Sequence, residues 1–250
     1  MRLASARQAE VMAHHPLVRR PRERRRFVAF VAPQPRDRVL DVACGAGFNA
    51  LAFARRAASV TGLDLSTELL MRAQREAARR RLTNVSFREG DAGELPFPGD
   101  SFEIVTCAAA FHHFVSPRQV LVEMARVCLP GGKVAIEDIV TSEQDIRARY
   151  HNRLERLRDR SHQRCLKLSE FISLLGQAGL ETRRIEVRDS IREFNEWVAV
   201  ARTPPRRAEH VRRLMIGSIE QDLSELEVRQ VDDTLLFSQR VAWILAEKAP

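Results

Sequence analysis

Residues 39–54 read VLDVACGAGFNALAFA, and the fold turns on this stretch. An apolar run reaches Asp41, a turn follows at Gly45 and Gly47, and a helical pattern opens near Asn49. Strand, turn and helix in that order build cofactor sites in alternating α/β proteins. The small residues fall as AxGxG from Ala43. That is not the GxGxxG that brings backbone close to a pyrophosphate, nor a GxxxxGK phosphate loop.

Asp41, placed just before the turn, would repel phosphate and attract an ammonium or sulfonium group. The helix N-terminus at Asn49 can hold a carboxylate. The amino-acid end of S-adenosylmethionine carries both kinds of charge. SVTGLDLS (59–66) supplies Asp64 about 20 residues after the turn, where a carboxylate can accept both ribose hydroxyls. NVSFREGDA (84–92) supplies Asp91, which can accept an adenine amino hydrogen. Each acid alone says little; three at successive strand exits beside a glycine turn form one cofactor pattern.

Around this unit, strands alternate with helices. Strand patterns at 39–43, 59–66, 84–92, 101–109 and 133–140 flank helical patterns at 49–57, 67–82 and 117–129. Such alternation implies a parallel sheet, helices on both faces, and strand exits along one edge. Past residue 140 the pattern changes. A charged helix is expected over 142–165, then an amphipathic helix at 168–179 capped by Ser169 and stopped by Gly179. LETRRIEVRDS (180–190) reads as a strand, residues 191–236 as helices broken at Thr203-Pro204-Pro205, and QRVAWILAEKA (239–249) as a central last strand. Residues 1–32 read as an N-terminal helical cap on a 33–250 domain, with helical insertions at about 141–168 and 191–236.

The 250 residues are 44% hydrophobic and 30% charged, enough to bury a core. No apolar run approaches the roughly 20 residues that span a bilayer, and the first residues lack an apolar signal core. A cytoplasmic protein with no membrane span is expected. Cys44, Cys107, Cys128 and Cys165 form no CxxC pair, so reduced thiols and no metal are expected. The net charge of +8 is almost all arginine, interleaved with acids. A solvated face is the simpler reading of the cluster RRPRERRRF (19–27) than a nucleic-acid surface.

VLDVACGAG, VTGLDLS, GDAGELPFPGDSFEIV and ARVCLPGGKVAIED together resemble the class I S-adenosylmethionine-dependent methyltransferases. More narrowly they resemble the group holding the ubiquinone and menaquinone C-methyltransferases and related small-molecule enzymes. The specific motifs cover about residues 35–140. The resemblance implies a Rossmann-like doubly wound sheet of seven strands, mostly parallel, with an antiparallel last strand. It implies that Asp41, Ala43, Gly45 and Gly47 hold the methionine end and Asp64 the ribose. Asp91 and Ala92 would hold the adenine with Leu65 packed on it, and Ala108 would lie beneath the methionine moiety. Ala43 departs from the family's first glycine, and His112-His113 replace the Arg-Asn pair usual in the quinone enzymes.

Two histidines at the fourth strand exit suggest a base beside the methyl: His112 and His113 are the candidate catalytic residues. Tyr150, His151 and Trp197 are the candidate acceptor contacts, on segments outside the sheet. The expected activity is methyl transfer from S-adenosylmethionine to a small aromatic or hydrophobic acceptor, by a monomer or homodimer. Two alternatives remain open. One is nucleic-acid methylation, disfavoured because AAAFHHF (108–114) lacks the Asn/Asp-Pro-Pro-aromatic motif. The other is a non-catalytic S-adenosylmethionine-binding partner protein.

Overall fold

The computed structural model describes residues 21–250. Helix α1 (Pro21–Val31) leads into β1 (Arg38–Val42), α2 (Phe48–Phe53), β2 (Ser59–Asp64), α3 (Thr67–Arg79), β3 (Val85–Glu89) and β4 (Phe102–Ala108). A 3₁₀ turn (Phe111–His113), α4 (Pro117–Val127), β5 (Cys128–Thr141) and α5 (Asp145–Arg158) follow. The chain continues through β6 (Leu166–Lys167), α6 (Leu168–Gln177), β7 (Leu180–Glu193), α7 (Phe194–Val200) and α8 (Pro205–Ile216). It finishes with β8 (Arg229–Val231) and β9 (Thr234–Lys248).

The sheet runs β3-β2-β1-β4-β5-β9-β7, with β6 beside β5 and β8 beside β9. The seven expected strands form the main path, and two short strands bring the count to nine. All pairs from β3 to β5 are parallel, while β9 is antiparallel to both β5 and β7. Chain order reverses between β1 and β4, and a crevice opens there at the carboxyl ends.

Period-two alternation divides the core. Leu40, Val105, Ile136 and Ile244 face one layer with α4 and α6, while Val39, Ile104, Ala135 and Trp243 face α1 and α2. Helix α1 belongs to this second layer: Phe27 and Phe30 set their rings 5.4 Å and 5.6 Å from Trp243. The rest of the expected N-terminal cap, residues 1–20, lies outside the described residues. A third cluster joins Leu154 of α5, Trp197 of α7, Met215 of α8 and Phe237 of β9 over the carboxyl edge.

Three expectations need correction. The helix expected over 142–165 ends at Arg158. Residues 217–236 are not helical; they hold turns, β8 and the start of β9. A two-residue turn, Asp232-Asp233, joins the strands, with Asp232 at φ 51°. Ser169 does not cap α6, since Lys167 holds that place. The Ser169 N–H and hydroxyl instead donate to Glu143, which acts from outside the helix.

Candidate functional site

The turn after β1 is held from below. Asp41 is buried, and its Oδ2 accepts the Ala50 N–H at 2.9 Å, tying strand end to helix start. Burial pushes the Asp41 carboxyl up to about 7, and the charge of Asp64 adds to that against the Ala50 hydrogen bond. Between them the chain needs left-handed backbone at Ala43 (φ 54°), Gly45 (φ 54°) and Gly47 (φ 75°). A Cβ on Gly47 would sit 2.7 Å from the Ala73 Cβ, so only glycine fits. Ala43 adopts the same backbone region despite its methyl, a strain of about 1 kcal/mol. Asp64 clamps the turn from β2: Oδ2 accepts the Gly45 N–H at 2.8 Å and Oδ1 the Ser66 N–H at 2.9 Å. Burial raises its pKa and those N–H groups oppose the rise.

At the β4 exit the contacts change character. Asp138 of β5 is buried and accepts the Phe111 N–H at 2.6 Å, the Ile139 N–H at 2.7 Å and His112 Nδ1 at 2.6 Å. Burial would raise the Asp138 pKa, but the His112 charge and hydrogen bond overcome it and hold the carboxyl low. An ionised carboxylate only accepts, so His112 Nδ1 carries the proton and Nε2 is left as the neutral ring's basic atom. Burial opposes the charged imidazole, yet Asp138 outweighs it and raises the His112 pKa.

The neighbouring histidines are set the other way. His113 Nδ1 donates to the Ser161 carbonyl at 3.1 Å, and its ring centroid lies 4.1 Å from that of His112. Burial, then the His112 charge, pushes it down to about 4. His162 contacts Asn152 Oδ1 at 3.2 Å and is pushed down to about 3, mainly by burial. One ring of the three is therefore set to gain a proton and two to remain neutral.

Past β5 lies a side-chain network that sequence reading missed. Glu155 of α5 is buried; Oε1 accepts Gln239 Nε2 at 2.6 Å and Oε2 accepts Arg158 Nε at 2.9 Å. Gln239 Oε1 accepts Arg192 Nε at 3.0 Å. The Arg158 guanidinium stacks 4.9 Å over Trp197, which meets Phe237 edge-on. The only local signal for Arg192 was its place near the end of an expected strand.

One cleft of about 290 Å³ joins these parts. It runs from Ala43, Gly45 and Asn49, past Ala108 and His112, to Arg192 and Trp197. His113 also lines it. Asp41 is buried and, with Gly47, is absent from the lining. Asp64, Leu65, Asp91 and Ala92 also stand off the lining, at the exits of β2 and β3. Asp91 uses Oδ1 to accept the Gly93 N–H at 2.7 Å. Tyr150 and His151 are off the lining too: the Tyr150 hydroxyl donates to the Leu214 carbonyl at 2.8 Å, and His151 Nε2 lies 3.8 Å from Glu155. Among the described residues no group of three or more His, Cys, Asp or Glu side chains is placed to hold a metal ion. None of their helices is long and apolar enough to cross a membrane.

A methyltransferase domain family matches residues 40–136. The chain is 35% identical over 174 residues to an uncharacterised methyltransferase, YcgJ, of Bacillus subtilis, covering 70% of this chain and 69% of the relative. A crystal structure of a YcgJ protein from that organism superposes with a TM-score of 0.85 at 28% identity, over 89% of this chain and 96% of the other. A demethylmenaquinone methyltransferase of Deinococcus radiodurans is 43% identical over 108 residues, 42% of this chain and 44% of its own.

Proposed function

The chain belongs to the methyltransferase family, and on that footing we propose that it moves a methyl group from S-adenosylmethionine to a small aromatic or hydrophobic acceptor. When bound, this cofactor supplies an electrophilic methyl on a sulfonium, a leaving group that needs no proton. The turn fits such a ligand. Asp41 is a buried carboxyl whose ionisation is suppressed by burial, and a cation nearby restores it. At Gly45 the space where a Cβ would stand is open. Asp41, Ala43, Gly45 and Gly47 would hold the methionine end and Asp64 the ribose. Asp91, Ala92 and Leu65 would hold the adenine, with Ala108 under the methionine portion.

The single observation that carries the proposal is the continuity of one cleft from this turn to a histidine held by a buried carboxylate. His112 Nε2 takes the proton that a hydroxyl or carbon acceptor releases as it gains the methyl. Asp138 stabilises the imidazolium so formed and fixes the tautomer. His113 and His162, kept neutral, add no competing charge. The apolar wall of Trp197, Val200 and Ala201 excludes water and aligns the acceptor.

Titration calorimetry with S-adenosylhomocysteine tests the reading. Micromolar binding is expected, and binding weaker than about 1 mM overturns it. With an acceptor in hand, turnover should rise with pH through a value above the ordinary histidine range and then level off.

A further inference from the structure

The cleft has two arginines on its β9–β7 side, and they stand in different electrical situations. Arg158 is nine-tenths buried and matched: Glu155 takes its Nε, and Asp159 lies 3.9 Å from a terminal nitrogen. Arg192 is half-buried at the end of β7 and gives its Nε to a neutral amide, Gln239. Among the described residues no carboxylate lies within ion-pairing distance of Arg192, and no acceptor takes its two terminal nitrogens. Gln239 is not free to turn away, because Glu155 holds its other end at 2.6 Å. A buried carboxylate thus fixes an amide, and the amide fixes one edge of a guanidinium whose remaining donors are unused. Preformed in this way, the fork suits a planar two-oxygen anion, since little side-chain freedom is left to lose on binding.

What stands beside that fork limits the rest of the ligand. Ile139, Trp197, Val200, Ala201 and Val241 line the same end of the cleft. They favour a flat apolar body over a sugar or a peptide. His112 lies between this end and the glycine turn, because β4 stands between β1 and β5. We infer that the acceptor is an aromatic carboxylic acid, its carboxylate on Arg192, its ring against the Trp197 wall and its nucleophilic substituent toward His112. This rests on the methyl-transfer reading and narrows it to an anionic acceptor class. Arg192 acts as a specificity residue: it sets which ring enters, and His112 acts on the ring that has entered.

The test compares 4-hydroxybenzoate with 4-hydroxybenzamide, which match in shape and differ in charge. Their binding to the full chain is measured by calorimetry with and without S-adenosylhomocysteine, for wild type, R192Q and R192K. The acid should bind roughly ten- to hundredfold tighter than the amide in wild type, as expected for hydrogen bonds to a charged group. R192Q should bring the two within about threefold, R192K should keep part of the preference, and S-adenosylhomocysteine affinity should not move. Several results overturn the inference: equal acid and amide affinity in wild type, no binding of either, or a preference that survives R192Q. A loss in R192Q that falls on S-adenosylhomocysteine also overturns it, because Arg192 then serves the cofactor. If S-adenosylhomocysteine fails to bind while the charge preference stands, the methyl-transfer reading fails and the anion site remains.

Discussion

On the β1–β2 side of the cleft the polar contacts run from carboxylates to main-chain N–H groups: Asp41 to Ala50, Asp64 to Gly45 and Ser66. Across the β4 exit they run mostly between side chains: His112 to Asp138, Gln239 and Arg158 to Glu155, Arg192 to Gln239. Main-chain donors stay where the turn puts them whatever side chains surround it. A side-chain network holds only while each member is present, and it changes what it can bind when one is exchanged. The first construction suits a ligand common to a family, the second a ligand that differs from member to member.

Exchanging one member on each side should show the contrast. His112→Gln removes the basic nitrogen, and turnover should fall about 10²- to 10⁴-fold. Affinity for S-adenosylhomocysteine should stay within about threefold, since the turn does not depend on His112. A loss of cofactor affinity equal to the loss of turnover would merge the two sides into one. Glu155→Ala should cost about 3–5 kcal/mol in urea unfolding, because the buried Arg158 charge loses its hydrogen-bonded partner and keeps only Asp159 at 3.9 Å. Asp64→Asn keeps an acceptor for one N–H and should cost nearer 1 kcal/mol.

Asp41 and the two neutral histidines should answer pH in opposite senses. Asp41 titrates near 7 in the fold and about 4 when unfolded. The unfolded chain then binds fewer protons between those values, so this contribution to stability is lost as pH rises from about 4 to 7. His113 and His162 titrate near 4 and 3 in the fold and about 6.5 when unfolded. Their unfolded forms bind more protons, so stability is lost as pH falls below about 6.5. His112, raised by Asp138, loses its contribution as pH climbs past its folded value. Urea midpoints from pH 4.5 to 8 should show Asp41→Asn removing the part of the rising-limb loss that falls below pH 7, with the His112 part remaining, and His113→Asn part of the loss on the falling limb. Identical profiles for wild type and Asp41→Asn would break this assignment. The smallest effect belongs to Ala43→Gly. It relieves a left-handed alanine and should raise stability by about 0.5–1 kcal/mol, read as a shift in urea midpoint at constant slope.

The same division explains what the sequence showed. Asp41, Gly45, Gly47 and Asp64 lie within 24 residues of one another, and a local pattern carries their geometry. Glu155 meets Gln239 across 84 positions, His113 meets Ser161 across 48 and Arg192 meets Gln239 across 47. No periodicity or spacing encodes such meetings; the two that involve Gln239 exist only once β9 lies between β5 and β7. His112 was legible as a residue at a strand exit, but its partner was not, because Asp138 reads equally well as one more acid ending a strand. Tyr150 and His151 sit on a helix whose pattern does not distinguish a pocket wall from the face that packs on α8 and Glu155. The β8–β9 hairpin does have a local sign: two aspartates between the strand-like runs VRQV and TLLF.

The placement of β9 also orders how the molecule comes into being. Strands β3 to β5 pair in parallel and are complete once residue 141 has been made, so the half bearing the glycine turn can assemble while translation continues. The main-path strand β7 has no sheet neighbour other than β9, and β9 begins only at Thr234. While the about 40 residues between the end of β7 and the start of β9 are being made, β7 has both edges unpaired; one stays so in the finished fold, where Ile191 and Val187 are exposed. Its dense charges, from Glu181 through Arg183, Arg184, Glu186, Arg188 and Asp189 to Arg192, are of the kind that disfavours pairing of an open edge with another chain.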